Sequence, residues 1–279
     1  MLIKEFVVWS REGEKLRADI RYTQTGIEKP LILFMHGLNG FKNWGSFPYI
    51  FEQLARNGFV VVAFNFSGSG IGDDLQTFTH LDKYAHNTVT REIEEAVDMI
   101  EAIVSLNDLP IPANEVAINR LGILGHSLGA GIATIIGSKF KIIKAIALWS
   151  PVCTFDRFSD RQKEDWKKRG YFERENSRTG QMMRLNIELL LDIEQHSLSQ
   201  SILTAAQELN RPMLIVAGAE DLTVPINESQ AIHRTVGGSE LHVIRNTGHT
   251  FGAEHPFQGP TKGLDEALNL TISFFKDNL

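Results

Sequence analysis

The sequence predicts an α/β protein built as a three-layer α/β/α sandwich around a mostly parallel sheet. Two observations carry that expectation. Short apolar runs such as Leu31–Met35 and Phe59–Phe64 show no polar alternation, as strands buried on both faces do. Between such runs lie segments with apolar residues at helical spacing. Strand alternating with helix implies right-handed crossovers and a sheet covered on both sides.

The elements follow in order. Ile3–Trp9 and Lys15–Tyr22 alternate and flank Arg11-Glu12-Gly13, which predicts an opening hairpin. Leu31–Met35, bounded by Pro30 and Gly37, is the first buried strand. A helical pattern over Phe47–Asn57 stops at Gly58, and Phe59–Phe64 is a second buried strand. After a glycine-rich loop, Val89, Ile93, Val97, Ile100 and Val104 give Thr88–Ser105 helical spacing. Leu121–Leu124 is a short strand, a small-residue helix begins just after Ser127, and Ile142–Leu148 is a strand again. The last third repeats the rhythm with strand Met213–Ala217, a helix around Glu228–Thr235, strand Leu241–Ile244 and helix Leu264–Phe275. From Cys153 to Asn210 the rhythm breaks. That stretch holds charged helical patterns and no convincing strand, and structureless loops of such length are uncommon. It reads as a helical insertion over one end of the sheet. Within it, Arg161–Arg169 (RQKEDWKKR) mixes signs and reads as a solvated helical face.

Composition narrows the function classes. A chain of 279 residues with 43% hydrophobic content can bury one full core. Net charge −6 and a pI near 5.9 leave no basic stripe for nucleic acid. No run approaches the roughly 18 apolar residues of a membrane span, and the N-terminus shows no secretory pattern. The single cysteine, Cys153, cannot form an internal disulfide and has no activating neighbour in sequence. Cytoplasm is the expected location. No clustered Cys/His set has metal-ligand spacing, so neither metal nor other cofactor is expected.

Gly125-His126-Ser127-Leu128-Gly129 fits G-x-S-x-G between a buried strand and a helix. A nucleophile elbow needs those glycines because the serine stands in strained backbone with other backbone packed close around it. A serine hydroxyl needs a base, and the base needs an orienting group. In the elbow arrangement these follow in the order Ser, Asp or Glu, His. Asp221 lies immediately after a buried strand, with Glu220 as its near rival. Asp192 lies inside the insertion. His249, in a glycine-flanked loop after the last strand, is the favoured base and His255 the fallback. His233 falls in a helix and His242 in a strand. Oxyanion donors are expected from the backbone N–H of Leu128 and, in His36-Gly37-Leu38-Asn39-Gly40, from that of Leu38. A plain β-turn is the competing reading of that loop, with His36 a structural support. Ser67-Gly68-Ser69-Gly70-Ile71-Gly72 lacks the Lys-Ser/Thr of a P-loop and is weak evidence for phosphate binding.

HGLNG at 36–40, FNFSGSG at 64–70, GHSLG at 125–129, GAEDLTVP at 218–225 and NTGHTF at 246–251 resemble, in order and spacing, the α/β-hydrolase superfamily. Within it the chain is similar to the serine esterase and dipeptidyl-aminopeptidase/acylaminoacyl-peptidase-like group, feruloyl esterases included. The resemblance implies an eight-stranded, mostly parallel sheet, a core domain of residues 1–151 and 210–279, and a helical cap of 152–209 inserted after the sixth strand. Asn65 stands where related sequences often carry aspartate, at a position of loop support. The expected activity is hydrolysis of carboxylic esters of small or aromatic acyl groups through Ser127, His249 and Asp221, with a small-molecule ester as partner. An aminopeptidase-like amide hydrolase, a thioesterase, other chemistry on the same triad and a non-catalytic binding protein are the rivals. In the insertion, Trp166, Tyr171, Phe172, Met182, Met183, Leu189 and Leu190 form either an apolar substrate wall or an ordinary small core. The substrate-binding residues and the oligomeric state are open, a homodimer included.

Overall fold

The computed structural model describes residues 1–105, 109–176 and 179–279. β1 (Leu2–Trp9) and β2 (Lys15–Tyr22) form the antiparallel hairpin at one edge of the sheet. β3 (Lys29–Met35), β4 (Val60–Phe64), β5 (Val116–His126) and β6 (Ile143–Trp149) follow, with β9 (Met213–Gly218) and β10 (Glu240–Ile244) beyond them. The eight strands lie in the order β1-β2-β4-β3-β5-β6-β9-β10 and are parallel from β4 onward. This is the mostly parallel eight-stranded sheet expected. β3, β4, β6 and β9 are apolar and buried along almost their whole length because helices cover both faces.

Those helices are α1 (Phe47–Arg56), α3 (Val89–Ser105), α4 (Leu128–Lys139), α8 (Ile226–Thr235) and α9 (Lys262–Asn278), with the short α2 (Leu81–Ala85) before α3. α1 begins with a proline in its first turn and ends as Gly58 takes φ +94°, the asymmetry expected of helix ends. Along α3 the buried stripe runs through Val89, Glu92, Ile93, Ala96, Met99, Ile100 and Ile103. Val104 faces out.

Between β6 and β9 the chain departs from the all-helical insertion expected. α5 (Asp160–Arg169), α6 (Ile187–Gln195) and α7 (Ile202–Glu208) are helices, but β7 (Tyr171–Glu175) and β8 (Met182–Asn186) pair as an antiparallel ribbon. Met183 and Leu185 are the only buried residues of that ribbon, and half-buried Phe172 packs against Phe158 and Trp166, so a small apolar patch specifies it. α5 carries a Ser159/Gln162 capping box and ends at Gly170 in the left-handed region. Its charges are solvated, and Trp166 alone is buried. α7 packs on α4, where a Cβ on Gly131 would lie 2.6 Å from Ile202 Cδ1, so it joins the helices that flank the sheet.

Candidate active site

β5 ends at His126 and α4 begins at Leu128, leaving Ser127 alone in the turn with φ 58° and ψ −120°. Glycine adopts this conformation freely and serine does not. The neighbours explain the glycines around it. A Cβ on Gly125 would lie 2.6 Å from Ala130 Cα, and one on Gly129 would lie 2.3 Å from the His36 carbonyl oxygen. Either would strike backbone that cannot step aside.

The turn after β3 presses on the same elbow. A Cβ on Gly37 would come within 2.8 Å of Ser127 Cβ and 3.3 Å of the Leu128 nitrogen. Gly40 N–H donates to Gly37 O at 3.0 Å, closing a turn in which Asn39 takes φ 59°. The N–H groups of Leu38 and Leu128 donate no hydrogen bond among the described residues. A buried polar site rarely leaves donors unpaired without a ligand or water to accept from them. His36 supports this loop. Its Nδ1–H donates to Gly37 O at 3.0 Å and its Nε2 accepts from Phe66 N–H at 3.2 Å. Burial lowers its pKa to about 4 against the opposing hydrogen bond to Gly37, so it stays neutral. Asn65 also acts as a support, its side-chain oxygen accepting from Lys42 N–H at 2.7 Å.

Asp221 follows β9. Its Oδ1 accepts from Thr223 N–H and Val224 N–H, both at 2.8 Å, and its Oδ2 accepts from His249 Nδ1–H at 2.7 Å. Burial pushes the Asp221 carboxyl up. The hydrogen bond and charge of His249 and the two backbone donors outweigh it, and the net pKa is lowered. That hydrogen bond places a proton on His249 Nδ1 and turns Nε2 away from Asp221. The strand end and the histidine loop leave no gap, since a Cβ on Gly218 would lie 2.4 Å from Gly248 O. His126 Nε2–H donates to His249 O at 3.1 Å, and the two rings lie 4.8 Å apart. The histidine loop is thereby fastened beside the residue that precedes Ser127. No hydrogen bond joins Ser127 Oγ to His249 among the described contacts. Such bonds are often long before substrate binds. His126 was not singled out by sequence. Only its place inside the G-x-S-x-G motif gave a signal.

The rival residues lie elsewhere. Glu220 is exposed, and Asp192 binds Thr90 and His196. His255 Nδ1 accepts from Gly45 N–H at 2.9 Å. His233 meets Ser239, and His242 lies near Glu240. Burial and Glu228 raise the Cys153 thiol pKa, which makes it a poor nucleophile. Trp166, Met183, Leu189 and Leu190 are buried in the core, with Phe172 packed against them, while Met182 is exposed. Most of the proposed apolar wall is thus the insertion's own core.

The glycine-rich loop at 67–72 faces carboxyl groups. Ser67 donates through both N–H and Oγ to Glu95. Gly68 has no room for a Cβ, which would fall 2.0 Å from Asn87 Oδ1. Asn87 Nδ2 donates to Glu92 Oε1 at 2.6 Å, and the other two oxygens, Asn87 Oδ1 and Glu92 Oε2, are buried without partners. Burial raises Glu92 to about 8 and Glu95 to about 7. A loop whose first amide is already bound to a carboxyl group is a poor phosphate cradle. Among the described residues no group of metal-ligating side chains occurs, and no helix is long and apolar enough to cross a membrane.

Residues 30–181 match the sequence model of the α/β hydrolase fold family. No curated protein matches the chain by sequence. Among solved structures, the α/β hydrolase GrgF from Penicillium sp. sh18 aligns over 100% of this chain and 99% of its own, with a TM-score of 0.76 and 14% identity. Est1E from Butyrivibrio proteoclasticus, solved with ferulic acid bound, aligns over 97% of this chain and 96% of its own, with a TM-score of 0.66 and 18% identity. The acylaminoacyl peptidase of Pyrococcus horikoshii covers 100% of this chain with 42% of its own length, with a TM-score of 0.68 and 18% identity. At these identities the likeness speaks for the fold.

Proposed function

The chain belongs to the α/β hydrolase fold family, and from that premise we propose that it is a serine hydrolase that cleaves carboxylic esters of small or aromatic acyl groups. One observation carries the reading: His249, fixed by a 2.7 Å hydrogen bond to an ionised Asp221, lies in a loop fastened beside the strained Ser127. Asp221 holds the imidazole in the tautomer that can accept a proton at Nε2 and stabilises the cation that results.

Ser127 Oγ attacks the acyl carbon as His249 Nε2 takes its proton. The carbonyl oxygen becomes an oxyanion that accepts from the Leu38 and Leu128 N–H groups, which have no other acceptor among the described residues. Collapse expels the alcohol, protonated by His249, and leaves an acyl-serine. A water molecule then repeats the sequence and releases the acid. The insertion between β6 and β9 serves as the cap.

The test is labelling of the purified protein with a fluorophosphonate probe, beside Ser127→Ala and His249→Ala, with the adduct mapped by mass spectrometry. Labelling at Ser127, lost in both variants, is the expected result. A folded wild type that takes no label, or takes it elsewhere, overturns the assignment.

A further inference from the structure

The Leu38–Asn39 turn has a second face. Asn39 Oδ1 accepts a hydrogen bond from Tyr84 Oη at 2.7 Å. Tyr84 is 2% exposed and packs against Gly70, where a Cβ would lie 2.9 Å from Tyr84 Cβ. The ring cannot swing away, and burial holds the phenol pKa above its ordinary range, so it remains a donor. A planar carboxamide with its oxygen held on one side presents its NH₂ on the other. Asn39 Nδ2 donates to no described residue, and Asn39 borders a cavity of about 310 Å³.

Trp44 and His255 form one wall of that cavity, their rings stacked 5.9 Å apart. Phe78 and Gln181 form another, joined by Gln181 Nε2–H donating to Phe78 O at 2.9 Å. Among the described residues that line it, no side chain carries a formal charge. His255 Nδ1 accepts from Gly45 N–H, which an imidazolium cannot do. Asn39 directly follows Leu38, whose N–H is one of the two proposed oxyanion donors, so the cavity begins one residue along the loop from where the reacting carbonyl would bind.

We propose that this cavity takes the acyl portion of the substrate and that Asn39 Nδ2 selects uncharged acyl groups with an acceptor oxygen close to the reacting carbonyl, alkoxyacyl or hydroxyacyl rather than plain hydrocarbon. The inference rests on the serine-hydrolase reading and names its substrate class. A hydrocarbon chain strips water from Nδ2 and returns no acceptor, whereas an ether or hydroxyl oxygen replaces the water.

The experiment compares p-nitrophenyl butyrate with p-nitrophenyl methoxyacetate, which differ by one oxygen in place of a methylene. The readout is the methoxyacetate-to-butyrate ratio of kcat/KM in each variant relative to wild type, which cancels the intrinsic reactivity of the two esters. Asn39→Leu should lower that ratio roughly tenfold, the size of one lost hydrogen bond. Tyr84→Phe, which frees the Asn39 amide to turn, should lower it by less. An unchanged ratio in Asn39→Leu overturns the proposal. If that variant does not fold, as judged by circular dichroism, an unchanged ratio in Tyr84→Phe does so instead. Wild type inactive on both esters, or Ser127→Ala as active as wild type, removes the serine-hydrolase reading itself and this proposal with it.

Discussion

The loop after β9 and the first turn of α3 each bury a carboxyl group, Asp221 at 6% exposure and Glu92 at 4%. The surroundings differ in the donors that face it. Asp221 receives two backbone N–H groups and an imidazole N–H. Glu92 receives one carboxamide N–H, and Glu95 adds a repulsive neighbour. Asp221 is ionised and Glu92 is raised to about 8. The two carboxyls thus take opposite charge states: deep desolvation raises Glu92, whereas at Asp221 the donors that face the carboxylate outweigh its burial. One region keeps a charge hydrogen-bonded to His249, which in the proposed mechanism orients the base. The other removes a charge to pack a helix under a loop.

The sharpest way to break this contrast is to neutralise each group by one amide. Asp221→Asn should lower kcat about 10,000-fold, because the wrong imidazole tautomer is then favoured. Glu92→Gln should leave kcat near the wild-type value. Steady-state ester hydrolysis with both variants checks the pair, and a comparable loss in Glu92→Gln would erase the distinction.

Stability against pH should separate the two regions next. Between pH 4.5 and about 8 the folded chain holds a proton on Glu92 that the unfolded chain has released. Stability therefore falls as pH rises through that window. Asp221, with its pKa lowered from 3.8, acts in the opposite sense, and its contribution is lost as pH falls through its folded value. Glu92→Gln supplies a permanent N–H donor beside Asn87. It should flatten the decline and raise Tm at pH 8.5 by several degrees, at roughly 2–4 °C per kcal/mol for a chain of this size. Calorimetry from pH 5 to 9 reads the Glu92 effects, with a scan below pH 4 for Asp221, and parallel curves for variant and wild type would count against a neutral Glu92. The smallest effect belongs to a carboxylate outside both regions. Glu52, paired with exposed Arg56 at i,i+4, should change stability by only about 0.3–0.5 kcal/mol when replaced by Gln, as read by urea unfolding.

The sheet was largely legible because β3, β4, β6 and β9 bury both faces and read as unbroken apolar runs. The elbow was legible because its glycines are forced by backbone contact. The ribbon of β7 and β8 was not. Two buried side chains among charged neighbours leave too little periodicity to mark strands. The first half of β5 was missed for a similar reason, since Ile118, Asn119 and Arg120 interrupt its burial before Leu121. Glu92 was readable in principle. Ala96, Met99 and Ile103 follow it at helical spacing on the buried stripe, yet a glutamate there is taken for the edge of the polar face. The support that His126 gives the histidine loop joins residues 123 positions apart, which no local pattern encodes.

The backbone at Ser127 has one more consequence, for how such a protein changes over generations. Holding a serine at φ 58° and ψ −120° costs on the order of 1–3 kcal/mol, and glycine escapes most of that cost. Under the proposed mechanism, thermal endurance and turnover therefore pull this position in opposite directions. A lineage freed from the need for turnover, but still required to stay folded, has Ser127→Gly open to it as a stabilising step.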